Sequence, residues 1–360
     1  MNDIKDCFGK TAPAPTPATR LSIGELAKKN SNYAVFSTPG HKGSLDALDL
    51  TEYDGGQIFP QNSIALAETK TARRYKVKSA KYSVGGTSMV IKSAIVAVDS
   101  NIVAPVFTHR CVGEGAQLIK KQVYYFDTGN DGTLPAVPTA CDYEKAIIEH
   151  PDAKLAVVTS PDYFGRCANV KDIKRVCDER GVLLLADCAH GAHFATRPDL
   201  FPSGAEKIAD FSSVSAHKTL RSLTQTAIGF CNSEQYLDKW KNAFDLLGTT
   251  SPSYLLLSSI QSGIEYEDEH AHYYDALAEY RYMLNREFRF CLACNDDPMR
   301  VVMRSPDDNG KYLFDQLVNR GIMPETYYGE YCVLILTLCD NREKLDALYT
   351  ALKEIYYEKR

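Results

Sequence analysis

Residues 154–187 read KLAVVTSPDYFGRCANVKDIKRVCDERGVLLLAD, and this stretch decides the fold class. A short apolar run at 154–160 is punctuated by Pro161 and Gly165. An amphipathic segment at 170–180 is closed by Gly181, and a second apolar run at 182–186 ends on Asp187. The same rhythm extends backwards, with strand-like runs at 81–86, 101–106 and 123–127 followed by helix-like segments at 88–99, 112–120 and 143–150. Near-continuous apolar strands separated by helices predict an α/β protein with a mostly parallel central sheet covered by helices on both faces. Ligands of such sheets sit beyond the carboxyl ends of the strands. Gly85–Ser88, Ser160–Tyr163, Asp187–His190 and Ser215–Lys218 should therefore converge.

The pattern changes after Tyr254. A helical stretch over 254–288 precedes a strand at 300–303, a helix at 312–320, a strand at 331–337 and a helix at 343–357, which predicts a small α+β carboxy-terminal domain. Residues 10–20, KTAPAPTPATR, lack periodicity and predict an extended arm. The expected division is an arm over 1–30, a large cofactor-binding domain over 31–255 and a small domain over 256–360. No internal repeat is visible.

The 360 residues are 44% hydrophobic and carry 41 Lys and Arg against 46 Asp and Glu, a formal net charge of −5 without a long basic run. Neither nucleic acid nor a membrane surface is an expected partner. The charged start MNDIKDCFGK does not read as a secretory signal and no apolar stretch is long enough to span a bilayer, so a cytoplasmic location is expected. The 11 cysteines are scattered and odd in number, which favours reduced thiols; Cys291-Leu-Ala-Cys294 stands without a second pair and reads as packing.

Three segments carry chemistry. Ser213-Val-Ser-Ala-His-Lys-Thr-Leu-Arg-Ser-Leu-Thr-Gln225 puts Lys218 between a histidine and hydroxyls, and a lysine whose surroundings favour the neutral amine is a nucleophile toward carbonyls. By itself such a residue is more often a surface lysine. Asp187 closes an apolar strand in Leu185-Ala-Asp-Cys-Ala-His-Gly-Ala-His-Phe194, where a carboxylate can pair with a pyridinium N–H or simply cap the next helix. A metal site from Asp187, His190, His193 and His217 is disfavoured, because their spacing matches no zinc motif and Lys218 would repel a cation. Gly85-Gly86-Thr87-Ser88 joins a strand to a helix and can cradle a phosphate, or be a tight turn with a Thr or Ser cap. It is neither a dinucleotide fingerprint nor a Walker loop.

In several motifs, in order, the chain resembles the Orn/Lys/Arg decarboxylases, which depend on pyridoxal 5'-phosphate and have the aspartate-aminotransferase fold. Thr38-Pro-Gly-His-Lys-Gly43 resembles the family's TPGHKG segment, Ser160-Pro-Asp-Tyr-Phe-Gly165 its SPTYxG loop, and Asp187–Phe194 its DEAHGAHF motif. Ser215–Gln225 is similar to its SxHKTLxxLTQ lysine motif, and Thr249–Tyr254 to its TSPSY turn. The resemblance implies that Lys218 is the Schiff-base lysine, Asp187 the pyridinium partner and His109 the residue stacked on the cofactor ring. It also places Gly86, Thr87, Ser88, His190, Ser215 and His217 among the cofactor contacts or their neighbours. Thr249 matches a residue reaching the phosphate from a second subunit, which implies a homodimer with active sites at the interface. Glu325 matches a glutamate near the distal ammonium of a diamino acid substrate. Cys188, Asp162 and Arg221 depart from the family pattern, as does the Met-Val that follows Ser88. The family's carboxy-terminal domain and amino-terminal wing are not matched, which leads us to expect a more open site. The resemblance implies decarboxylation of a basic amino acid to an amine and CO2, with His217 or Lys218 reprotonating Cα. Another reaction on the same cofactor, such as elimination, transamination or oxidation, and a non-catalytic relative remain as alternatives.

Overall fold

The computed structural model describes residues 63–288 and 291–357. In chain order the elements are α1 (Ser63–Tyr75), β1 (Ser79–Ser83), α2 (Gly86–Val98), β2 (Asn101–Pro105), α3 (Cys111–Leu118), β3 (Val123–Phe126), β4 (Asn130–Asp131) and β5 (Leu134–Pro135). Then come α4 (Ala140–Glu149), β6 (Ala153–Thr159), α5 (Val170–Glu179), β7 (Leu183–Asp187), β8 (Phe211–Val214), α6 (Ala216–Thr219), β9 (Ala227–Cys231) and α7 (Leu237–Leu247). The remainder is α8 (Tyr254–His270), α9 (Tyr273–Glu287), β10 (Arg300–Arg304), α10 (Gly310–Val318), β11 (Thr326–Tyr328), β12 (Tyr331–Ile335) and α11 (Arg342–Tyr357). The expected arm and the TPGHKG segment lie outside the described residues.

Seven strands form the main sheet in the order β1-β9-β8-β7-β6-β2-β3. The pairs β8/β7, β7/β6, β6/β2 and β2/β3 are parallel, whereas β9 runs antiparallel to both its neighbours. The period-2 pleat splits each central strand between two cores. Ala156 and Val158 of β6 and Leu184 and Ala186 of β7 pack on one face with α1, α4, α5 and α8, whereas Leu155, Val157 and Leu185 pack on the other with α2, α3 and α7. A strand buried on both faces has no polar side, which is why these runs read as continuously apolar. Each Val or Leu among them contributes about 1.5–3 kcal/mol of burial against about 1–2 kcal/mol of backbone ordering.

A second, three-stranded antiparallel sheet, β10-β12-β11, carries its own core from α9, α10 and α11. The expected continuous helix over 254–288 is two helices, interrupted at Ala271 and His272. The two sheets are stitched at the loop after β6. Gly165 has φ +82, its carbonyl accepts from the N–H groups of Asp296 and Asp297 at 2.9 Å, and a Cβ there would lie 2.7 Å from that of Arg300. Gly165→Ala is therefore expected to cost about 2–4 kcal/mol, the sum of a left-handed side-chain penalty and an overpacking clash. Thermal unfolding checks this; an unchanged melting temperature would show that the stitch carries no strain.

Candidate active site

Helices α4 and α5 begin with side-chain caps, Thr139 in a reciprocal box with Asp142 and Asn169 accepting from the Asp172 N–H. Helix α2 does not: Gly85 precedes it with no side-chain cap, so the Thr or Ser cap considered from sequence is absent. Gly86 is in the left-handed region at φ +69 and gives its N–H to the Gln225 carbonyl at 2.8 Å. Gln225 is itself at φ +81, uncommon for a side chain of its size. The N–H groups of Thr87 and Ser88 are left without i−4 acceptors at the positive helix end. Thr87 lines a cavity of about 460 Å³ at the carboxyl ends of the central strands.

Asp187, at the end of β7, lines the same cavity with only 4% of its surface exposed. The hydrogen bonds to its carboxylate among the described residues, from the Ala189 N–H at 3.1 Å and the Ser213 hydroxyl at 3.5 Å, both end on Oδ1. Burial pushes its carboxyl up, against the pull of Lys218. Lys218 enters from α6, and burial pushes its amine down while Asp187 draws it the other way. Its Nζ lies 3.1 Å from Nε2 of His190, another cavity residue, and Nδ1 of that ring receives a hydrogen bond from Arg300 at 3.0 Å. Burial, then Arg300 and Lys218, hold the His190 imidazolium far below the usual histidine range.

His109 and Glu325 complete the set of expected residues in the cavity wall. His109 Nδ1 accepts from the Cys111 N–H at 3.2 Å, which fixes the ring. The Tyr163 hydroxyl donates to Glu325 Oε1 at 2.6 Å, and the Tyr163 ring meets His190 edge-on at 4.9 Å. Two further hydroxyls in the wall, Thr108 and Thr159, are buried with no partner among the described residues.

Not every expected residue reaches the cavity. His217 gives its Nδ1 hydrogen to the Thr226 carbonyl at 2.9 Å, near the buried Ser215 hydroxyl at 3.2 Å, and neither side chain is part of the wall. Ser88 stands one residue beyond the wall, and Thr249 is exposed and accepts from the Ser251 N–H at 3.1 Å. Of the four residues weighed as metal ligands, Asp187 and His190 share the cavity, His217 is not part of its wall, and His193 Nε2 is paired to buried Asp297 at 3.2 Å. Among the described residues no group of three or more His, Cys, Asp or Glu could hold a metal ion. Sequence reasoning passed over Arg300, Thr108 and Thr159. Arg300 opens a run, Arg300–Arg304, whose apolar middle shows nothing of where its first side chain goes.

A parallel sheet with a buried strand-end carboxylate, an amine in the same cavity and an uncapped helix start defines the class of enzymes that bind pyridoxal 5'-phosphate. The residues fit the group. Asp187 offers a carboxylate whose charge has no ion-pair partner, Thr87 and Ser88 offer backbone donors to a phosphate, and Thr108 and Thr159 offer unspent hydroxyls. The chain belongs to the Orn/Lys/Arg decarboxylase family, whose major domain it matches over residues 55–276. It is 30% identical over 269 residues to an arginine decarboxylase of Halalkalibacterium halodurans, covering 68% of this chain and 54% of that protein. It is 31% identical over 262 residues to an arginine decarboxylase of Bacillus subtilis, covering 65% and 53%. It thus spans about half the length of the curated relatives it matches. Among solved structures, a lysine decarboxylase from Francisella novicida shares the fold at a TM-score of 0.77 and 17% identity, covering 92% of this chain and 59% of that one. The cofactor of this family and fold is pyridoxal 5'-phosphate. Among the described residues no helix is long and apolar enough to cross a membrane.

Proposed function

We propose that this protein decarboxylates a basic amino acid to an amine and CO2, with arginine first among the candidates because two of its relatives are named for it. The observation that carries this reading is one cavity shared by Lys218, Asp187 and the Tyr163–Glu325 pair. When bound, pyridoxal 5'-phosphate supplies an aldehyde that condenses with amines and a protonated ring that takes up the electrons of the breaking Cα–carboxylate bond. Lys218 is the amine that tethers it, Asp187 keeps its ring nitrogen protonated, and Thr87 and Ser88 hold its phosphate. His109 covers the ring. Lys218 returns a proton to Cα, a role for which His217 is poorly placed because its Nδ1 hydrogen is committed to Thr226. Glu325, oriented by Tyr163, receives the distal cation of the substrate.

The departures that favoured another reaction do not alter the cavity. Cys188 is buried with its thiol toward the Ala186 carbonyl, and Arg221 is exposed over the Tyr266 ring. Asp162 does line the cavity, but Oδ1 accepts from the Phe164 and Arg166 N–H groups and Oδ2 from the Arg166 guanidinium. Its acceptors are spent on its own loop. Residues 31–255 would form the cofactor-binding domain and 256–360 the small one; the second sheet has its own core, although Leu257, Ile260 and Ile264 of α8 pack with the main sheet. Exposed Thr249, away from its own cavity, supports a homodimer in which it completes the neighbouring subunit's site. A cytoplasmic location fits the described cysteines, all free thiols.

Mass spectrometry of products after incubation of the cofactor-loaded protein with arginine, ornithine and lysine tests the reaction. Amine and CO2 in equal amounts are expected; a keto acid or an eliminated side chain would refute it. Glu325→Gln is expected to lower kcat/KM for the preferred substrate by about tenfold to a hundredfold, the worth of one hydrogen bond to a charged group, with cofactor affinity unchanged. A change below about twofold would remove Glu325 from the substrate site.

A further inference from the structure

Three side chains from distant parts of the sequence form a line ending in the cavity. Arg300 of β10 donates from Nη2 to His190 Nδ1 at 3.0 Å, and His190 Nε2 lies 3.1 Å from Lys218 Nζ. We propose that Arg300 is a positioning residue that locks His190 in the neutral Nε2–H form and thereby holds Lys218 as an uncharged amine, ready to condense with the cofactor aldehyde. The inference rests on the reading of Lys218 as the cofactor's amine.

Donor counting carries the argument. A guanidinium has only hydrogens to offer, so Nδ1 must present its lone pair and the single proton of a neutral imidazole sits on Nε2. That N–H then points at Nζ, which can accept only as a neutral amine. An ammonium donating to Nε2 would leave the ring with lone pairs on both nitrogens, an imidazolate. An imidazolium would set an N–H on Nδ1 against the guanidinium N–H. Neither is tenable in a buried site.

Arg300 itself argues for a role. It is wholly buried, its Nε and Nη1 have no partner among the described residues, and its charge is offset at a distance by Asp297, Glu325 and Asp162. Such an arginine is costly to keep unless its one directed bond is used. The groups facing Lys218 and His190 are Asp187, His109, Cys111, His193, Glu325 and Arg300, with the Tyr163 ring against His190. Burial and Arg300 favour the uncharged amine, whereas Asp187 and Glu325 oppose it. The hydrogen-bond directions decide between them. In the condensation the lone pair of Nζ attacks the aldehyde carbon. The carbonyl oxygen then departs as water with the two amine hydrogens, leaving a C=N bond.

The test uses cofactor-free protein labelled with 15N in its histidine rings, with His190 assigned by its loss in His190→Asn. Long-range proton–nitrogen correlation should show His190 protonated at Nε2, hydrogen-bonded at Nδ1 and unchanged from about pH 6 to 8, through the range where an ordinary histidine titrates. Arg300→Lys, which like arginine offers only donors, should keep the tautomer. Arg300→Met should mix the tautomers. One pH unit below the midpoint at which the Lys218 amine of this variant protonates, its rate of pyridoxal 5'-phosphate capture, trapped with borohydride, should be about a tenth of its rate well above that midpoint, while the native rate stays level. If these variants do not fold, the native spectrum still decides. A proton on Nδ1, or His190 titrating near about 6.5, overturns the relay. An adduct on another lysine would overturn the reading of the site itself, whichever tautomer is seen; an adduct on Lys218 beside an Nδ1–H imidazole overturns the relay alone.

Discussion

Lys218→Ala is expected to leave a folded protein that no longer attaches its cofactor covalently and turns over substrate at least about a thousandfold more slowly, because on the proposed mechanism one substitution removes both the tethering amine and the proton donor to Cα. The fold should tolerate the loss. Lys218 is only partly buried on the four-residue α6, and the hydrogen bond its Nζ makes is to His190 in the cavity wall. Borohydride reduction of the loaded proteins followed by peptide mass spectrometry is the direct measurement. The native protein should carry its adduct on the peptide containing Lys218 and the variant should carry none. Retained turnover, or an adduct on another lysine, would remove Lys218 from the chemistry and the proposed reaction with it.

The central sheet was legible because parallel strands covered on both faces must be apolar throughout, and the runs ending at Thr159 and Asp187 show this directly. Strand direction was not. Ala227–Cys231 is as apolar as its neighbours, and nothing in its composition shows that it runs against them. The interruption at Ala271 and His272 carries neither proline nor glycine, so the helical pattern reads straight through it. At the site, Lys218 and Asp187 were singled out from local motifs at a strand end and the turn after one, and His109 from the family resemblance alone. Arg300 reaches His190 across 110 positions of sequence, a contact set by how the second sheet docks through Gly165. No periodicity records such a contact. The bland reading of Gly85–Ser88 as a capped turn also failed for a physical reason: only the absence of a side-chain cap leaves backbone donors for a phosphate.

Asp187→Asn should move stability and function in opposite directions. Burial raises the carboxyl of Asp187 above its unfolded-state value of about 3.9, so the ionised group costs stability. Below the unfolded value both states are neutral and there is no cost. The cost grows as pH rises from there through the folded-state value and is constant beyond it. Asparagine is uncharged throughout, and its carbonyl oxygen can still accept from the Ala189 N–H that now bonds Oδ1. The cofactor-free variant is therefore expected to melt above the native protein at pH 7, with the difference vanishing near about pH 3. Loaded with cofactor, the same variant lacks the charge proposed to keep the ring nitrogen protonated, and turnover should fall about a hundredfold to a thousandfold, the scale of losing a preorganised charge at a reacting centre. Melting curves at the two pH values and steady-state kinetics check both halves. Native turnover in the variant would exclude Asp187 as the ring partner, and a lower melting temperature at pH 7 would mean that its neighbours already compensate the buried charge. A carboxylate that destabilises the protein alone yet is needed for turnover is the trade expected of a group kept for its ligand.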